Sequence, residues 1–139
     1  MPEVRDQAKA TLIDAVVAEL EPQVGAFARD LFARGAAEDV VAYTVTDLVA
    51  VARVAWEEMA THPLGTHRIH IYNPESSGDR SRAADVTIVE ILNDNMPFLV
   101  DSVMGELQAS GFEVRLVLHP ILSVERSDSG ELVRYAGAG

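Results

Sequence analysis

Four histidines, at positions 62, 67, 70 and 119, are the side chains in this sequence best suited to move protons or bind a metal near neutral pH. Their spacing gives a metal little to grip. No H-x-x-x-H pair stands on a helix, no carboxylate clusters beside them, and His67 and His70 fall on opposite faces of one strand. The plain reading is hydrogen-bonded or surface imidazole. Ser102 follows Asp101, but adjacent helical residues point to different sides, so a nucleophilic serine needs a base from elsewhere. An independent hydrolase using Ser102 or His119 predicts activity lost on their substitution, and no activity is expected. Neither G-x-G-x-x-G nor G-x-x-x-x-G-K-[ST] occurs, which excludes nucleotide binding by those loops.

The cluster Asn93-Asp94-Asn95 lacks the glycine and closing glutamate of a calcium loop. Two readings stay open for it. In one, these residues cap the following helix and satisfy its free N–H groups. In the other, the helix N-terminus holds a small anion or an amino-acid carboxylate, while Asp94 and Asp101 accept an ammonium group. Trp56 reads as a core or interface anchor. Arg80 and Arg82 read as the tip of a solvated loop.

These groups sit in an acidic background of 139 residues with 22 acidic and 11 basic side chains, a net charge of −11. Such a surface repels phosphate backbones and anionic lipid, so nucleic acid and membrane partners are not expected. The absence of cysteine removes disulfides, thiolate metal sites and cysteine nucleophiles, and makes the cytoplasm the expected setting. Apolar residues make up 48%, enough to bury a core, and no run approaches a membrane-spanning length or a signal peptide.

The elements that must position these residues divide near His62-Pro63-Leu64-Gly65, giving a helical segment 1–65 and a second segment 66–139. Leu12, Ile13, Val16, Val17 and Leu20 recur at helical spacing until Pro22 interrupts. Val24, Phe27, Leu31 and Phe32 form a second helix ending at Gly35, read as a left-handed stop. Thr46-Asp47 is placed to cap a helix carrying Leu48, Ala52, Ala55, Trp56 and Met59, with a short helical turn around Glu38 to Ala42.

After Gly65 the apolar period shortens to two. His67 to Tyr72 reads as a strand ending at Asn73-Pro74, and Glu75 to Arg82 as a polar loop. Val86 to Leu92 is a second strand, apolar on both faces and therefore expected in the middle of a sheet. Pro97 suits the first turn of a helix running through Leu107 to Gly111. A long strand, Phe112 to Glu125, leads through the turn Ser127 to Gly130 into the strand Glu131 to Tyr135. If the helix makes a right-handed crossover, the strand Glu131 to Tyr135 fits between the two parallel strands it joins, and His67 to Tyr72 lies antiparallel on the far side of Val86 to Leu92. Pro120 fits an edge strand. The expected fold class is α+β: N-terminal helices, then a partial ferredoxin-like antiparallel sheet with one crossover helix.

The segment Asn93-Asp94-Asn95-Met96-Pro97-Phe98-Leu99-Val100-Asp101-Ser102-Val103, then Gly111, then Leu118-His119-Pro120-Ile121-Leu122-Ser123-Val124, resembles the N-terminal region of the large NAD-dependent glutamate dehydrogenases of bacteria. Arg126 and Gly130 stand where that pattern has a basic residue and a glycine, and Asp47-Leu48, Trp56 and Ile71-Tyr72-Asn73-Pro74 agree upstream. The resemblance implies ACT-like modules at the start of a very long chain, with the oxidative deamination of L-glutamate to 2-oxoglutarate by NAD carried out far downstream. It brings no catalytic residue: the substrate lysines and the Rossmann glycines have no counterpart, and Lys9 is the single lysine.

The resemblance therefore implies an inactive segment with no cofactor of its own, NAD belonging to the parent. Its expected role is structural or allosteric, contacting other domains and subunits of a homo-oligomer. The alternative is an amino-acid sensor with its effector near Asn93 to Leu99. Effector-binding ACT modules usually place a glycine after the first strand, where Pro97-Phe98 stands here, and that bulk argues for packing. The candidate effector or interface residues are Asn93, Asp94, Asn95, Phe98, Asp101, Val117, His119 and Ile121. Val117 and Ile121 are expected to contact the N-terminal helices or another subunit.

Overall fold

Helix α1 (Pro2–Ala18) turns Ile13 and Val16 inward, and the chain reverses so that Pro22 opens α2 (Pro22–Ala33) at a position where a missing N–H is harmless. The computed structural model describes residues 2–61, 67–74, 85–93 and 98–138. A single turn, α3 (Ala37–Val40), precedes α4 (Val45–Ala60). Phe27, Ala28, Leu31, Phe32, Val40, Leu48, Val49, Ala52 and Met59 close the core between these helices.

The helix starts and stops differ in two places from the sequence expectation. Thr44, not Thr46, caps α4: its hydroxyl accepts from Asp47 N at 3.0 Å while Asp47 Oδ2 accepts from Thr44 N at 3.2 Å. Gly35 is not left-handed. It is needed because a Cβ there would lie 2.8 Å from both Leu118 Cδ2 and Val40 Cγ2. Gly111, with φ +83°, does make the left-handed stop expected of it, after α5 (Leu99–Ala109).

Strands β1 (Arg68–Tyr72) and β2 (Ile88–Leu92) pair antiparallel, with His70 opposite Glu90. Strands β3 (Leu122–Arg126) and β4 (Leu132–Ala138) form a second antiparallel ribbon. The fold class is α+β, with helices followed by antiparallel ribbons and α5 between them.

The expected single sheet is replaced by these two ribbons: among the described residues β4 pairs with β3 alone and β2 with β1 alone. The reason lies in β4. Its pairing shifts twice, opposite Ser123/Val124 and Glu125/Arg126, and the extra residues turn both Leu132 and Tyr135 inward although they are three apart. Tyr135 then enters the helical core against Phe27 and Trp56, with ring centroids 5.9 and 6.1 Å away, so β4 is anchored on α2 instead of beside β2. The long strand Phe112 to Glu125 shrinks to β3 because residues 112–121 have no strand alongside among the described residues. Leu116 and Leu118 from that stretch instead pack against the helical core.

The boundary His62 to Gly65, the loop Glu75 to Arg82, and Asp94, Asn95, Met96 and Pro97 lie outside the described residues. Among the described residues no helix is long and apolar enough to cross a membrane.

Candidate functional site

The C-terminal end of α4 gathers more polar structure than any position singled out from sequence. Its last turn holds Glu57 and Glu58 and no basic residue, an unfavourable arrangement beside the negative end of a helix dipole. Two arginines from elsewhere repair it. From β3, Arg126 Nη1 donates to Met59 O at 2.7 Å and to Gly130 O at 3.0 Å, tying the helix end to the β3–β4 turn. From β1, Arg68 donates to Thr61 Oγ1 at 3.0 Å and Glu58 O at 3.3 Å, and its guanidinium lies 3.5 Å from Glu58 Oε2. Partial burial lowers the Arg126 pKa from its usual value. Arg126 is thus the structural meaning of the basic residue in the hairpin motif, whereas Arg68 gave no signal in sequence.

Beside Arg68, His70 Nδ1 meets Glu90 Oε1 at 2.8 Å and Glu58 Oε1 at 3.7 Å, and its ring stacks on Tyr72 with centroids 4.9 Å apart. Glu90 Oε2 and Tyr72 Oη are buried without a hydrogen-bond partner among the described residues. Burial, opposed by the His70 hydrogen bond and charge and reinforced by Glu58, raises the Glu90 carboxyl. Burial first, and the Glu90 charge second, push the Tyr72 hydroxyl up to about 12. This charged cluster joins the β1–β2 ribbon to α4. Among the described residues no group of three or more His, Asp or Glu is arranged to hold a metal ion.

A cleft of about 540 Å³ opens between α5, the 112–119 segment and the start of α3, lined among others by Arg34, Asp39, Arg115 and His119. Two arginines and one aspartate border it, and Arg115 also lies 3.9 Å from Glu113.

The structure distributes the sequence-derived candidates over several places. Val117 and His119 line the cleft, and Ile121 is half-buried just before β3. Asn93 accepts at the end of β2, its side chain bonded to the His67 ring. Phe98 and Asp101 are exposed at the start of α5. Phe98 itself is the N-cap residue, left-handed at φ 65° and without a side-chain cap bond, so the expected Asn or Asp cap is not the N-cap of α5. Asp94 and Asn95 lie outside the described residues. Arg34 and Arg115 were invisible as a pair because positions 81 apart in sequence carry no spacing signal.

A helical body closed by an aromatic from an antiparallel ribbon, with one helix between two ribbons, is an α+β module consistent with an ACT-like fragment. The sequence model of the family described as "Glutamate dehydrogenase, ACT1 domain" matches residues 27–139, and the chain belongs to that family. An NAD-specific glutamate dehydrogenase of Pseudomonas aeruginosa is 32% identical over 111 residues, 80% of this chain and 7% of the relative. The corresponding protein of Halomonas elongata is 28% identical over 114 residues, 82% of this chain and 7% of its own length. The chain therefore spans a small fraction of the curated relatives it matches. No solved structure matches it.

Proposed function

We propose that this chain serves as an N-terminal, non-catalytic segment of a large bacterial NAD-specific glutamate dehydrogenase, supporting its assembly as a homo-oligomer or its allosteric control in the cytoplasm. The parent reaction, L-glutamate, NAD and water giving 2-oxoglutarate, ammonia and NADH, would belong to the rest of the polypeptide. The observation that carries this reading is the family match over residues 27–139 together with a span of only 7% of each relative. The sequence supports it: neither phosphate-binding glycine pattern occurs, and Lys9 is the single lysine. Within the same reading, the cleft at Arg34, Arg115 and His119 is where a carboxylate-bearing effector would act.

Deleting residues 1–139 from the parent enzyme tests this. The turnover number at saturating glutamate and NAD is expected to stay within a few-fold, while the sedimentation coefficient or the response to added amino acids changes. A turnover number that collapses while sedimentation stays unchanged would place these residues in the catalytic machinery and overturn the reading.

A further inference from the structure

The two faces of the β1–β2 ribbon differ in kind. The face turned toward α4 is mixed, with Arg68, His70 and Glu90 beside Tyr72, Ile88 and Leu92, whereas the face turned to solvent is wholly aliphatic. Ile69 and Ile71 are 65% and 61% exposed, and their neighbours Val89 and Ile91 are 41% and 37% exposed. The register sets Ile69 across from Ile91 and Ile71 across from Val89, so the four make one continuous patch. The orientation is not loose. Arg68 is bonded to the end of α4 and His70 lies 3.7 Å from Glu58 of the same helix, and turning the ribbon over would strip both of these α4 partners.

A two-stranded ribbon is marginally stable alone, and a contiguous aliphatic patch on it marks a contact surface. Helix α5 borders other residues: its Met104 and Gln108 line the cleft with Arg34, Asp39 and Val117, and no residue of β1 or β2 is among that lining. The chain spans only 7% of the relatives' length, so most of a parent of that size lies outside residues 1–139. Strands about 4.8 Å apart present a strip that one helix about 10 Å across covers completely. Resting on the proposed function above, we infer that the face formed by Ile69, Ile71, Val89 and Ile91 docks the apolar stripe of one amphipathic helix from the parent polypeptide outside residues 1–139.

The chain has no cysteine, so Ile71→Cys introduces a single reporter whose maleimide labelling is followed by peptide mass spectrometry in the 139-residue chain and in the full-length parent. Val89→Cys, across the ribbon, repeats the measurement if the first variant fails to fold. Labelling is expected to be fast in the short chain and at least about tenfold slower in the parent. Equal rates in both overturn the inference. Slow labelling of the short chain at every concentration assigns the face to its own α5, and slowing only at high concentration assigns it to a second copy; either result overturns it. The deletion assay reads turnover and sedimentation independently, so a parent whose assembly and regulation ignore the deletion removes the proposed function while leaving any labelling contrast in place.

Discussion

Glu90 holds a carboxylate in a place that suits a neutral group. Its side chain is 11% exposed, one oxygen meets His70, and the other is buried without a partner among the described residues. His70 from β1 and Glu58 from α4 are the titratable groups that act on it, with the Tyr72 hydroxyl nearby. Because its native pKa is raised, the folded state holds this proton more tightly than the unfolded state does. The stability it contributes is fully present below about pH 4, the unfolded value, and is lost as pH rises through the higher native value. Glu90→Gln is therefore expected to equal or exceed the parent sequence in denaturant stability at pH 7, with a flatter profile from about pH 4 upward. A loss of more than about 3 kcal/mol at pH 7 would instead mark an essential ion pair with His70. The alternation of β1 made the opposite facing of His67 and His70 legible in advance. The role of Glu58 was not, because it comes from a helix whose approach no local pattern encodes.

At the scale of elements, what was legible followed from short-range rules. The spacing of Ile13 and Val16, Phe27 and Leu31, and Leu48 and Ala52 gave α1, α2 and α4 because helices bury residues three and four apart. Gly35 was recognised as special for the wrong reason: the constraint is the approach of Leu118, far away in sequence, and not its own backbone angle. The sheet was misread on the same ground, since nothing around Leu132 announces that the extra residues of β4 will send Tyr135 into the helices. Gly35→Ala is expected to lower stability by about 1–3 kcal/mol through overpacking. Gly105→Ala, in the interior of α5 with open space around it, is expected to raise it by about 0.5–1 kcal/mol. Urea titrations of the two variants check the contrast, and a Gly35→Ala protein as stable as the original would show that Leu118 and Val40 can give way.

For the whole molecule, the end of α4 is the point where the two ribbons are fastened. Arg68 and Arg126 reach it from different strands and neutralise a helix terminus that carries acidic residues of its own. Arg126→Gln is expected to lose about 1.5–3 kcal/mol by thermal or urea unfolding, as two partly buried carbonyls lose a charged donor. An unchanged midpoint would show that the hairpin holds without this anchor. The distribution of the core also orders the folding of the chain in time. Its buried apolar residues come from positions 13–59, apart from Tyr135, among the described residues. During synthesis the four helices can close on local contacts, in the fast regime of helical chains, while the ribbon sequences are still to be made. Until Tyr135 emerges, the site between Phe27 and Trp56 lacks its third ring, so the nascent chain is expected to close its helices first and to receive Tyr135, with Leu116, Leu118, Leu122, Val124 and Leu132, late.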